Sequence, residues 1–397
     1  VSVYRARWLI ALLIGFVMLT PMGVDIYLPS LPDMTRDFAR STSSLQVTIT
    51  LFLFTVGLGQ LLIGPLSDRF GRRPVALWGA VAFATGSLLG MMAPTLEYLY
   101  AARVLQGMGA CATSVVAFAA VRDSFTPTQG ARIYSYLNGA LCTIPALAPA
   151  IGGTLAIAFG WRSTFAFMVA FALGVLACAY AQFGETRTQT GHQDEALYHW
   201  RRYAPMLKSF RFLYFACVAL TGMALILIYV ATAPVVLVDQ LGYSELAFSG
   251  WFGANAVVNI AAFMFAPRLI GWVGRLGTAQ LGLIVMLLSG ALHAVAAIWL
   301  PLSAWVFMLP IAVLSVGFSF ALGSVVSLAL EPFPDRAGTA AALVGVFQMS
   351  GGSLLSTLMV NLPVTPQWAM ALVSLLFILP LAILSGPLAR RYNVYAE

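Results

Sequence analysis

Runs of about twenty mostly apolar residues recur from one end of this chain to the other, and no other feature constrains its fold as strongly. The first begins WLIALLIGFV at Trp8. A bilayer's hydrocarbon core is about 30 Å thick and a helix rises about 1.5 Å per residue, so about 20 residues cross it. Lipid offers the backbone no hydrogen bonds, so segments of this kind must bond internally as helices. Only 9% of the 397 residues are charged, against roughly 25% in soluble domains. That is too few to cover a water-facing surface. The expected fold class is therefore an all-α polytopic membrane protein. Its twelve spans are read at 8–29, 45–66, 74–93, 96–121, 131–158, 162–183, 211–238, 245–270, 275–300, 302–330, 337–361 and 366–388. Short turns such as MAPTLE and WLPLSA separate them, and the longest interruption is Gly184–Arg211. It divides the chain into an N-terminal six-helix bundle (1–183), a cytoplasmic linker (184–210) and a C-terminal six-helix bundle (211–397). The first apolar stretch is too long for a signal-peptide core and lacks a small-residue cleavage site, so it is expected to remain as the first helix.

The net charge of +7 invites a nucleic-acid reading, but the positions of the charges decide against it. With the N-terminus and every second loop on one side, 17 of the 21 basic residues fall there. Arg36, Arg40 and Arg162 fall on the other side, and Arg103 lies inside a span. The positive-inside rule then places both termini in the cytoplasm. The basic excess reports topology, and no nucleic-acid partner is expected. Cys111, Cys142, Cys178 and Cys217 all fall within spans without metal-ligand spacing, and they read as small apolar packing residues. No metal site is expected.

Between spans two and three stands GPLSDRFGRRPV (Gly64–Val75), which composition does not explain. The loop is short enough to demand a tight turn, which Gly71 permits. Asp68 ends span two where Arg72 can reach back to it. The run resembles the signature loop of the major facilitator superfamily at Gly64, Asp68, Arg69, Gly71, Arg72 and Arg73. Span four carries RVLQGMGA (Arg103–Ala110), which resembles the family's Arg-containing fourth-helix motif. Span five carries LNGALCTIPALAPAIGG (Leu137–Gly153), similar to the fifth-helix motif of the drug:proton antiporters, with Pro145, Pro149, Gly152 and Gly153. With DIYLP in span one and AVRD at the end of span four, the chain is most similar to the bicyclomycin/chloramphenicol-resistance type.

That resemblance implies two pseudo-symmetric six-helix bundles around a site near the midplane. It also implies efflux of small lipophilic compounds such as chloramphenicol-type antibiotics across the bacterial inner membrane, by alternating access. Protons are the coupling ion, no cofactor is implied, and a monomer is expected. The rival reading is export of a natural metabolite (nucleoside, sugar or amino-acid derivative) with incidental drug resistance. A membrane sensor would need a soluble signalling domain, and none is read here. An enzyme is disfavoured because no nucleophile–base set or metal spacing stands out. The second half carries weaker marks: APRLIGWVGRLG (Ala266–Gly277) occupies the equivalent turn without the acid, and Gly351–Gly352 echoes Gly152–Gly153.

The charges inside spans carry the candidate chemistry. Asp25 lies about 17 residues, or ~25 Å, along span one, and Arg103 sits roughly 10 Å below the outer end of span four. Their depths agree within a turn. A lone charge at membrane depth costs at least ~2.5–3.5 kcal/mol on insertion scales, which favours a facing partner. Two readings stand: a structural pair or interfacial acid, and a proton carrier whose distance from Arg103 changes as the bundles rock. Arg103 shares a face with Gln106, Gly107, Ala110 and Ser114, a stripe suited to a water-filled cavity. By the resemblance, Asp68, Arg72 and Asp123 join in a cytoplasmic latch, the alternative being a solvated cluster of loop charges; Arg69 and Arg73 read as anchors at lipid headgroups. Span five should kink at its prolines, while its glycines let it approach span eight or ten closely. His293 lies near the outer end of a peripheral span. Candidate cavity residues are Phe52, Gln60, Gln106, Asn138, Tyr229, Asn255, Phe318, Phe347 and Gln348, since apolar walls with few polar anchors suit lipophilic cargo.

Overall fold

Six of the helices begin at a serine or threonine whose hydroxyl accepts a backbone N–H of the first turn: Ser41, Thr95, Ser209, Ser244, Ser303 and Thr365. Such caps satisfy donors that have no intrahelical partner and so fix where a helix starts. The computed structural model describes residues 3–125, 127–186, 203–333 and 336–392. They divide between two compact units, Val1–His199 and Trp200–Glu397.

The first unit contains α1 (Val3–Asp25), a 3₁₀ turn (Leu28–Ser30), α2 (Leu31–Phe38), α3 (Thr42–Phe70), α4 (Arg72–Met91), α5 (Leu96–Ser124), α6 (Pro127–Phe159) and α7 (Arg162–Gln182). Phe16, Val116, Leu137 and Phe183 belong to one buried cluster that joins α1, α5 and α6 to the end of α7. The second unit contains α8 (Ala204–Lys208), α9 (Phe210–Pro234) with a π-helical extension (Val235–Gln240), α10 (Glu245–Trp299) and α11 (Ala304–Leu330). It ends with α12 (Ala337–Gly345), a π-turn (Val346–Gly351), α13 (Gly352–Val360), α14 (Pro366–Val373), a second π-turn (Ser374–Ile378) and α15 (Leu379–Tyr392).

Ten helices among the described residues are long and apolar enough to cross a membrane. One of them, α10, is 55 residues long and breaks at Gly274 (φ 73°, ψ 172°), so the expected spans 245–270 and 275–300 run together across one non-helical residue. The shorter apolar stretch Thr143–Phe159 of α6 adds another pass. The architecture accords with six passes in each unit.

Two local features differ from the sequence reading. Helix α1 stops at Asp25, short of the expected residue 29, and the loop that follows contains α2. Leu31, Pro32 and Met34 give α2 a buried face. Asp37 then ties it down by accepting Trp161 Nε1 at 2.8 Å and Arg162 Nη1 at 2.7 Å. Most of the expected linker, residues 187–202, lies outside the described residues.

Candidate functional site

The end of α1 is a built break. Pro21 lies inside the helix, Asp25 is its last residue, and Pro29 lies in the 3₁₀ turn that follows. A helix end leaves backbone carbonyls without intrahelical donors, and a cation there is favoured by the helix dipole. Arg103 of α5 takes that place. Its Nη2 donates to Gly23 O at 2.6 Å and its Nε to Thr48 O at 3.2 Å. Nη1 donates to Gln106 Oε1, whose amide nitrogen reaches Ser87 Oγ at 2.7 Å and Met168 Sδ at 3.3 Å. The guanidinium carbon stands 4.4 Å from the Phe52 ring centre and 4.9 Å from that of Tyr27. These distances permit cation–π attraction. Tyr27 completes the network through Thr48 Oγ1 at 2.9 Å.

Arg103 is 0% exposed and Asp25 5%. They are neighbours through the backbone, yet no ion pair joins them, and among the described residues no hydrogen bond reaches the Asp25 carboxyl. The facing partner favoured by the sequence is therefore replaced by a different arrangement. The guanidinium is satisfied by oxygens and ring faces, while the acid two residues beyond Gly23 is buried with no fixed donor. Three of the four residues in the stripe expected to line water are packed away, and Ser114 is half-buried. Gln106 and Ala110 are fully buried, and a Cβ at Gly107 would stand 2.7 Å from the Phe52 carbonyl.

Gly152 belongs to the same place. A Cβ built on it would fall on the carbonyl oxygen of Ile26, the residue after Asp25. The α6 backbone thus lies against the broken end of α1. In the second unit the glycines of the corresponding span pack on α9, where Cβ atoms at Gly351 and Gly352 would meet Leu220 and Met223.

The loop motif forms the second constellation. Gly71, at φ 99°, turns the chain from α3 into α4 in a conformation that L side chains rarely adopt. Arg72 Nη2 pairs with Asp68 at 2.7 Å, its Nε with Asp123 at 2.9 Å, and its Nη1 donates to Ser67 Oγ at 2.6 Å. Glu185 accepts the backbone N–H groups of Arg72 at 2.8 Å and Arg73 at 3.2 Å, and so caps α4 from beyond α7. Arg69 lies over the Phe70 ring, and Gly64 has open space around its Cβ position. The sequence did not single out Glu185; its one local signal is that the first turn of α4 carries no acid of its own.

The Asp123 carboxylate is nearly buried, whereas Asp68 is 61% exposed. Asp123→Asn is expected to cost about 1.5–3 kcal/mol, as for loss of a buried hydrogen bond between charged groups, since Arg72 keeps Asp68. Asp68→Asn is expected to cost only ~0–1 kcal/mol, as for an exposed pair. Thermal unfolding of the purified variants measures the difference, and equal losses would contradict the ranking.

The equivalent turn of the second unit has an acid after all, supplied by another helix. Glu331, just past α11, pairs with Arg211 and lies 3.3 Å from Arg275, which also donates to Ser327 Oγ at 3.2 Å. Asp123 and Glu331 thus do the same job at the ends of α5 and α11.

The cavity candidates separate into two groups. Phe52 and Gln106 are core residues of the Arg103 network. Tyr229 is buried and stacks on Phe252 at 5.2 Å, Asn255 accepts Ser315 Oγ at 3.1 Å, and Phe318 packs against Phe263. Gln60 is half-buried, and so are Phe347 and Gln348, which lie in the π-turn. Such turns inside helices often mark functional positions. The Asn138 side chain lies outside the described residues, as does that of Cys142. Pro145 and Pro149 lie inside α6. His293 is fully buried, with Nδ1 against Ser289 O at 2.9 Å.

The family description Major Facilitator Superfamily matches residues 13–356. The chain is 32% identical over 371 residues to the chloramphenicol resistance protein of Pseudomonas aeruginosa, covering 92% of this chain and 87% of that one. It is 31% identical over 350 residues to the multidrug resistance protein MdtL of Shewanella oneidensis, covering 86% and 85%. Among solved structures, the D-xylose-proton symporter superposes with a TM-score of 0.76 at 17% identity, over 94% of this chain and 96% of that one. A bacterial homologue of the human lysosomal transporter Spinster does so with a TM-score of 0.75 at 13% identity, over 98% of each.

Proposed function

This chain belongs to the major facilitator superfamily, and on that premise we propose that it exports small lipophilic compounds of the chloramphenicol type in exchange for protons. It is a multi-pass membrane protein and a transporter rather than an enzyme. The names of its relatives support drug efflux, and the observation that carries the coupling is Asp25, a buried acid with no fixed donor among the described residues, at the broken end of a membrane helix. Arg103 holds the carbonyl before the break, so it positions the acid instead of neutralising it.

The coupling step then runs through water. An ionised carboxyl is far costlier in a dry surrounding than in a wetted one. Alternating access that wets Asp25 from one side and then the other would take up a proton outside and release it inside, while cargo moves the other way. Net inward charge adds about 2.3 kcal/mol per charge per 100 mV of membrane potential. The distribution of basic residues supports cytoplasmic termini in a bacterial inner membrane. The Asp68–Arg72–Asp123 cluster serves as a cytoplasmic latch, and the transporter acts as a monomer.

Everted vesicles test the reading. With the lumen acidified by respiration, chloramphenicol is expected to release protons from vesicles that contain the protein and not from empty-vector vesicles. If no phenicol moves protons while cells overproducing the protein release a metabolite, the cargo assignment is wrong.

A further inference from the structure

An exposed face of the first unit carries a groove between α4 and α7 with a volume of about 680 Å³. Its walls are almost entirely apolar. Leu77, Trp78 and Val81 come from α4, and Leu173, Leu176 and Ala177 from α7. Both stretches follow helical spacing, so each wall is one continuous helix face. Trp78 is 72% exposed and Tyr180 70%, so nothing among the described residues of the unit covers this side.

One end of the groove differs from the rest. Arg73 and Tyr180 close it at the same end of the bundle as the Gly64–Val75 loop. Arg73 Nη2 donates to Tyr180 O at 2.9 Å, and its guanidinium carbon stands 5.9 Å from the Tyr180 ring centre. These contacts hold the cation at the mouth. Among the described residues no carboxylate pairs with that guanidinium, and Nη1 makes no hydrogen bond. Glu185, the nearest acid of the network, spends its oxygens on the backbone of α4.

We propose that this groove is a binding site for one anionic phospholipid of the cytoplasmic leaflet, its phosphate on Arg73 and an acyl chain along the α4–α7 walls. The dimensions match. From Arg73 to Val81 the α4 face runs about 12 Å, close to the roughly 15 Å of hydrocarbon in half of a 30 Å core. A free anion would leave the apolar walls unused, and a neutral hydrocarbon would leave Arg73 unpaired. A tyrosine beside the headgroup suits the interface, where aromatic side chains with a polar tip concentrate. Anionic lipids are enriched on the cytoplasmic leaflet, so the choice of leaflet rests on the orientation proposed above. Occupancy does not depend on the cargo, because all of the groove's lining residues belong to one unit.

Native mass spectrometry of the full purified chain tests this with phosphatidylglycerol and phosphatidylcholine of identical acyl chains. One phosphatidylglycerol is expected to be retained about fivefold more tightly than phosphatidylcholine, the factor one basic side chain adds at an anionic surface. Arg73→Gln should abolish that preference. Ala177→Trp and Leu173→Trp, both at exposed positions, should displace the lipid by filling the groove, with folding checked by thermal unfolding. Equal retention of the two lipids would overturn the proposal. So would loss with Arg73→Gln alone while both tryptophan variants bind normally, because the headgroup contact would then exist without the groove.

Discussion

Replacing Asp25 with asparagine is expected to reduce drug-dependent proton movement in everted vesicles to the empty-vector background while leaving drug binding in place. Asparagine has the same shape and cannot exchange a proton. The Asp25 side chain makes no hydrogen bond among the described residues, so its replacement breaks none. Arg103 remains bonded to Gly23 O, Thr48 O and Gln106, and the end of α1 keeps its geometry. Thermal stability should therefore change little, since substitutions that disturb no packing or bonding usually fall within about 0.5 kcal/mol. This separates chemistry from structure. A variant that moved protons as the parent does would remove Asp25 from the coupling step.

Gly152→Ala should do the opposite and damage the structure first. The new methyl would fall on the Ile26 carbonyl oxygen, a backbone atom that cannot rotate away as a side-chain tip could. Overpacking of this kind costs typically ~1–3 kcal/mol, and an obstruction by backbone belongs at the upper end. The displaced residue adjoins Asp25, so transport should fall together with thermal stability. Gly250→Ala is the matched control within a membrane helix, because no atom lies within 4 Å of its Cβ position. It should be neutral or stabilising by about 0.5–1 kcal/mol, since alanine loses less entropy than glycine in a helix. Equal melting temperatures for the two variants would show that α6 can withdraw from the break at no cost.

Much of the architecture is legible in the sequence because hydropathy is a local property. Each run from WLIALLIGFV onward states its own preference for lipid, and the distribution of basic residues orients the set. The turn between α3 and α4 is legible for a similar reason: Gly71 permits the bend, and four residues separate Asp68 from Arg72. The approach of Asp123 to Arg72 followed only from resemblance, because the two stand 51 positions apart.

Tertiary structure decided which partner each charge takes. A guanidinium bonds any well-placed oxygen, and the sequence does not say that the Gly23 carbonyl, not the Asp25 carboxyl, will take the Arg103 hydrogen bond. The fit of Gly152 against Ile26, the Glu185 cap on α4 and the supply of Glu331 to the second turn join positions 56 to 126 residues apart or come from a different helix. Hydrophobic spacing determined that this chain crosses a membrane many times and where its polar turns lie. The packing of the helices alone determined that Asp25 stands without a counter-ion among the described residues, because backbone carbonyls, which carry no residue identity, took the cation.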